Sequence, residues 1–99
     1  MARPSKLDDA ALSAWLGSHA GWERRGDELQ KGFRFGDYSS GVAFAVRVAF
    51  AADKADHHPD LLLSYGRVEV RLTTHDAGGL TQLDLELAEA CDALSAGGR

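Results

Sequence analysis

Three of the chain's four histidines and two of its carboxylates fall where they can act together: Asp53, His57 and His58 before Pro59, His75, and Asp84. Imidazole titrates near neutrality, so a pocket with two or three histidines can give and take protons at cellular pH. That suits a reaction in which a hydroxyl leaves while a nearby N–H is deprotonated. A carboxylate in such a pocket can orient an imidazole or bind an N–H edge of a polar heterocycle. A metal is the rival use, since histidine and aspartate are ordinary ligands. Against it, adjacent histidines point their side chains apart, and the spacing matches neither HExxH nor a zinc-knuckle pattern. No Ser or Cys sits in a nucleophile elbow. Each residue also has a plainer use. Asp53 can be a solvated acid beside Lys54. His57 and His58 can complement the negative end of a helix dipole. His75 can be a loop histidine, and Asp84 a capping acid.

The elements that must position these groups follow from periodicity. Residues 5–17 read as a helix with Ser5 as its cap, Asp8 three residues on, a stripe of Leu12, Trp15 and Leu16, and Gly17 as its stop. Residues 22–25 and 29–35 read as a hairpin around Gly26-Asp27, with Phe33 and Phe35 flanking Arg34 at a period of two. A helix follows. Val42, Val46, Ala49 and Phe50 form one apolar face and Phe44, Val48 and Ala51 another, so it needs cover on more than one side. Pro59 ends that helix near Asp56 to His58. A second hairpin turns at Tyr65-Gly66-Arg67. Its Val68, Val70 and Leu72 point one way and Arg67, Glu69 and Arg71 the other. A last helix is capped by Thr81 with Asp84 at its third position, and Leu83, Leu87, Ala90 and Leu94 are its expected buried face.

This order, α-β-β-α-β-β-α, predicts an α+β fold: a four-stranded antiparallel sheet with three helices on one face and charges on the other. It also predicts that the functional groups converge. The His57-His58-Pro59 corner enters the third strand and His75 follows the fourth, so both lie at one end of the sheet. Asp53 lies one helical turn before His57. Asp84 opens the helix after the His75 loop.

With 99 residues and 44% hydrophobic content, the chain reads as a single domain over 1–99, with 95–99 frayed. A net charge of −4 with only short basic spots argues against a nucleic-acid partner. No apolar run approaches a membrane span and no secretory leader is visible, so a soluble, cytoplasmic protein is expected. Cys91, the single cysteine, reads as a small packing residue.

Taken in order, Asp53, three residues, His57-His58-Pro59, five residues, Tyr65, nine residues, His75, eight residues and Asp84 resemble the signature of the pterin-4a-carbinolamine dehydratases, also called 4a-hydroxytetrahydrobiopterin dehydratases. "GW" at 21–22, "FRFGDY" at 33–38, "TTH" at 73–75 and "GLTQLDLELA" at 79–88 extend the likeness over residues 12 to 90. The resemblance implies a hydro-lyase of tetrahydrobiopterin recycling that converts 4a-hydroxytetrahydropterin to quinonoid dihydropterin and water, with neither metal nor organic cofactor. It implies a pterin substrate, functional coupling to an aromatic amino acid hydroxylase, and a homodimer or homotetramer built through strands and the central helix. By the same likeness His57 and His75 form the acid–base pair, and His58 binds and places the substrate. Asp53 orients the histidine cluster where a glutamate is common in the family. Pro59 shapes the corner, Thr74, His75, Asp76 and Ala77 form the other wall, Asp84 supports the His75 loop, and Trp22 flanks the pocket. Family relatives that have lost the histidines act as assembly factors for other enzymes, and some animal relatives assist dimerisation of a homeodomain transcription factor. A non-catalytic scaffold is therefore the alternative reading; this chain keeps all three histidines of the signature.

Overall fold

A computed structural model describes residues 4–97. The elements are α1 (Asp9–Gly17), β1 (Glu23–Arg25), β2 (Glu28–Arg34), α2 (Tyr38–Ala55), β3 (Asp60–Ser64), β4 (Arg67–Leu72), a 3₁₀ turn (His75–Ala77) and α3 (Gln82–Gly97). The four strands form one antiparallel sheet in the order β1-β2-β4-β3. The expected α+β architecture is thus what the chain adopts.

The β2–β4 register sets Leu29 opposite Leu72 and Phe33 opposite Val68. These side chains, with Val70, form the sheet's contribution to the core, which Leu12, Phe44, Val48, Ala52, Leu85, Ala88 and Cys91 complete from the helices. The opposite face of β4 holds a charged ladder. Arg71 Nε donates to Glu69 Oε2 at 2.6 Å and Arg67 Nη1 to Glu69 Oε1 at 3.2 Å. Of α2's two expected apolar faces, that of Phe44 and Val48 lies on the sheet, with Ala52 buried beside them and Ala51 only half-buried, while Val46 and Phe50 stay exposed.

Three local readings change. Helix α1 is capped by Asp8, whose Oδ1 accepts from the Ala11 N–H at 2.8 Å, and not by Ser5. Leu7 donates its N–H to the Leu80 carbonyl at 2.8 Å, which holds the preceding residues out of the helix. In α3 the buried face is rotated from the one expected. Asp84, Leu85, Ala88 and Cys91 are inside with Leu87, and Leu83 is only half-buried. A carboxylate that belongs inside turns that helix, because residues 84, 88 and 91 share a face. Finally, α3 continues to Gly97 through residues 95–97 that read as frayed; residues 98 and 99 lie outside the described residues. Asp92 fastens this end: it accepts from Trp22 Nε1 at 3.0 Å and from Lys31 Nζ at 2.6 Å.

Candidate active site

The end of α2 decides where the histidines go. Asp56 takes a left-handed conformation, φ 51°, and the His57 N–H closes back on the Ala52 carbonyl at 3.1 Å. Those two features make a Schellman-type stop. Asp is one of the few non-glycine residues that tolerates this conformation, and Pro59 then commits the chain to extended backbone. His57 and His58 therefore leave a fixed corner just before β3.

From that corner the two imidazoles meet different acids. His57 Nε2 lies 2.6 Å from Asp84 Oδ1, and both side chains are buried, at 7% and 0% relative exposure. His58 Nε2 lies 2.9 Å from Asp53 Oδ1, with both side chains exposed. Asp53 therefore holds His58, and Asp84 holds His57.

Asp84 is itself held at every position. Its Oδ2 accepts from the Thr74 hydroxyl at 2.7 Å and from the Thr81 N–H at 2.9 Å. The second bond is the acid's half of the expected capping box; the other half is the Leu83 N–H donating to Thr81 Oγ1 at 3.2 Å. Thr74 and Thr81 hydroxyls lie 2.9 Å apart. A hydroxyl has one proton, and that of Thr74 goes to the carboxylate, so Thr81 must donate to Thr74. Donation thus runs from the Leu83 amide through Thr81 and Thr74 to Asp84 Oδ2, which leaves Oδ1 to His57. With Asp84 as carboxylate, Oδ1 accepts from Nε2–H, and a neutral His57 so held keeps its lone pair on Nδ1. No buried side-chain nitrogen or oxygen among the described residues lacks a partner, and none is bonded to Nδ1. Nδ1 accordingly opens to the cleft.

The cleft beside it has a volume of about 200 Å³ and is lined by His57, His58, Asp56, Thr73, Thr74, His75 and Asp76. His75 stands exposed on its 3₁₀ turn, with no ring hydrogen bond among the described residues. That turn is closed by a bridge between Thr74 and Gly79, whose backbone groups exchange hydrogen bonds at 3.1 and 3.3 Å. The whole arrangement is two walls, a helix end and a 3₁₀ turn, tied together underneath by one carboxylate.

Of the residues singled out from sequence, His57, His58, Thr74, His75 and Asp76 line the cleft. Pro59 and Ala77 adjoin it in the chain without lining it. Asp53 and Asp84 act behind the histidines. Trp22 does not flank it: its ring packs against Phe33 in the core, 5% exposed, with its Nε1–H on Asp92. An indole needs one partner for its N–H, and here α3 supplies it. Thr81, read only as a cap, proves to be part of the Asp84 network. Its signal was the capping box itself, which brings the Thr81 N–H and hydroxyl to the acid. Among the described residues no group of three or more His, Cys, Asp or Glu side chains is arranged to hold a metal.

The chain's relatives bear on this cleft. The family model described as pterin 4 alpha carbinolamine dehydratase matches residues 5–94. A protein of Roseiflexus sp. (strain RS-1) is 47% identical over 88 residues, 89% of this chain and 95% of its own. One of Natronomonas pharaonis is 47% identical over 90 residues, 91% of this chain and 96% of its own. Both carry the name pterin-4-alpha-carbinolamine dehydratase provisionally. A crystal structure of a transcriptional coactivator/pterin dehydratase from Brucella melitensis superposes with a TM-score of 0.88 at 31% identity, covering 92% of this chain and 99% of that one. A pterin dehydratase-like protein identified as a RuBisCO assembly factor of the alpha-carboxysome superposes at 0.66 with 26% identity, covering 78% and 92%. Matched over nearly its full length, the chain belongs to the pterin-4α-carbinolamine dehydratase family.

Proposed function

We propose that the protein is a dehydratase that converts 4a-hydroxytetrahydropterin to quinonoid dihydropterin and water by histidine acid–base catalysis. The observation that carries this is the His57–Asp84 pair at 2.6 Å, which leaves Nδ1 open on the cleft that also receives His58 and His75. The reaction breaks the C4a–O bond, forms the N5=C4a double bond, releases the N5 proton and delivers a proton to the departing hydroxyl. His57 suits the base: Nδ1 holds a lone pair, and Asp84 stabilises the imidazolium formed when the N5 proton arrives. His75, exposed and unanchored, suits the acid that protonates the hydroxyl. It regains a proton from solvent between turnovers, while His57 returns one. His58, oriented by Asp53, places the substrate, and the backbone of Thr74 to Ala77 offers hydrogen-bond partners to the pterin's polar edge.

In this reading no metal or organic cofactor takes part, and the substrate is the by-product of a pterin-dependent aromatic amino acid hydroxylase in the cytoplasm. The exposed Val46 and Phe50 of α2 are covered by further copies in a homodimer or homotetramer. The likeness to an assembly factor supports a second reading, a scaffold without catalysis. One experiment separates the two. Added to a hydroxylase reaction, the protein should speed the decay of the 4a-carbinolamine absorbance, and His57→Ala should abolish this with its circular dichroism unchanged. Unaltered acceleration by His57→Ala overturns the role of His57, and no acceleration by the native protein leaves the scaffold.

A further inference from the structure

Strand β1 covers only part of β2. Their pairing runs from Arg25↔Glu28 to Glu23↔Gln30, whereas β2 continues to Arg34. The Gly26-Asp27 turn is a two-residue hairpin, which makes Arg25 and Glu28 a hydrogen-bonded pair. By antiparallel alternation, Glu28, Gln30, Gly32 and Arg34 then direct their N–H and C=O groups toward β1's side. The next residue fits this phase: the Phe35 N–H points the other way and donates to the Gly66 carbonyl at 2.9 Å. Gly32 and Arg34 thus hold ladder groups out past the end of β1, with no backbone partner there among the described residues.

A groove of about 570 Å³ lies along this edge, on the helix side of the sheet. Phe33 and Phe35 line its floor, with Ser40 near the start of α2 and Ser95 near the end of α3. The other face of the edge carries paired charges, Arg25 with Glu23 and Arg67 with Glu69, and beyond them Arg34. Arg34 is exposed and makes no ion pair among the described residues. Its register partner is Arg67, whose guanidinium fills the space where a side chain on residue 32 would stand. Arg67 is already paired with Glu69 at 3.2 Å, so the charge this face offers to a partner is that of Arg34.

We propose that the β2 edge from Gly32 to Arg34 docks an extended acidic segment of a partner protein, which adds a strand where β1 stops. Backbone pairing holds the segment, and its alternate side chains divide between the two faces. Apolar ones enter the groove over Phe33 and Phe35; aspartate or glutamate on the other face meets Arg34. This surface shares no lining residue with the histidine cleft, so it works independently of the proposed reaction.

A defined peptide tests it: acetyl-Thr-Val-Glu-Val-Asp-Val-Thr-amide, titrated into the full chain and followed by amide NMR. Saturable shifts and slowed exchange at the Gly32 and Arg34 amides are expected. Arg34→Glu should weaken binding about tenfold without changing 4a-carbinolamine turnover. Of two peptides N-methylated at alternate amides, one should lose binding. Absence of saturable change at those amides up to millimolar peptide overturns the proposal, as does equal binding by a peptide with lysine at both acidic positions. So does protection of Gly32 and Arg34 that grows with protein concentration alone, since a second copy would then fill the edge.

Discussion

Asp84 serves two ends at once, and a single atom exchange separates them. As the capping acid it accepts from the Thr81 N–H, and as a buried carboxylate it accepts from Thr74 and His57. Asp84→Asn keeps the shape but turns one acceptor into a donor. If the amide oxygen faces His57, its NH₂ meets the Thr74 hydroxyl and the Thr81 N–H, donor against donor. If it is flipped, the NH₂ meets Nε2 and forces His57 into the tautomer that puts hydrogen on Nδ1. Either way we expect a loss of about 1–3 kcal/mol in stability, read from urea midpoints. If His57 is the base, turnover falls at least a hundredfold, on the order seen when an orienting carboxylate is lost from a triad. Full activity with reduced stability would make Asp84 a purely structural cap. Thr81→Ala removes the cap hydroxyl and the donor to Thr74, and should cost about 1 kcal/mol with a smaller effect on turnover.

At the scale of elements, the His57 corner depends on how α2 stops. Asp56 at φ 51° stands where glycine is the default. Asp56→Gly should leave the stop intact and change stability by less than about 1 kcal/mol, whereas Asp56→Val places a branched side chain in that conformation and should cost at least 1–2 kcal/mol. Melting curves of the two variants check the contrast; equal losses would mean that the Asp56 side chain, and not its backbone, matters. This stop was legible in the sequence, because Pro59 fixes where the helix must end. The hairpins were legible from Gly26-Asp27 and Tyr65-Gly66, and the capping box from Thr81 and Asp84. Convergence of His57 and His75 at one end of the sheet followed from strand order alone. The partner of each histidine did not. Whether Asp84 reaches His57 depends on the rotation of α3 over the sheet, and Leu83, Leu87, Ala90 and Leu94 offered an equally good apolar stripe. Trp22 was misplaced for a related reason: a strand-edge indole can face a cleft or a core, and only the tertiary position of Asp92 decides.

At the scale of the whole molecule, Cys91 and Phe50 report on opposite sides of the same packing. Cys91 is fully buried, and burial, with some help from the Asp92 carboxylate, pushes its thiol up to about 12. An unfolded thiol ionises near about 8.5. The fold's preference for the neutral thiol is therefore intact below that pH and is lost between there and about 12. Iodoacetamide at pH 8 should label the native protein only through opening, so its rate should fall with every stabilising condition; fast labelling insensitive to stability would contradict the buried placement. Phe50 is the reverse case, 71% exposed on a helix whose other face is core, with Val46 at 48% one turn before it. A chain of this length buries only about two-thirds of its unfolded surface, so covering such a stripe with another copy adds apolar burial that the monomer lacks. In the homo-oligomer proposed above, Phe50→Asp puts a charge at the centre of that contact. Sedimentation should then show the native protein as a dimer or tetramer and the variant as a smaller species, with unchanged circular dichroism because Phe50 does not reach the core. A native protein that sediments as a monomer at 100 µM would leave the stripe without a second copy to cover it.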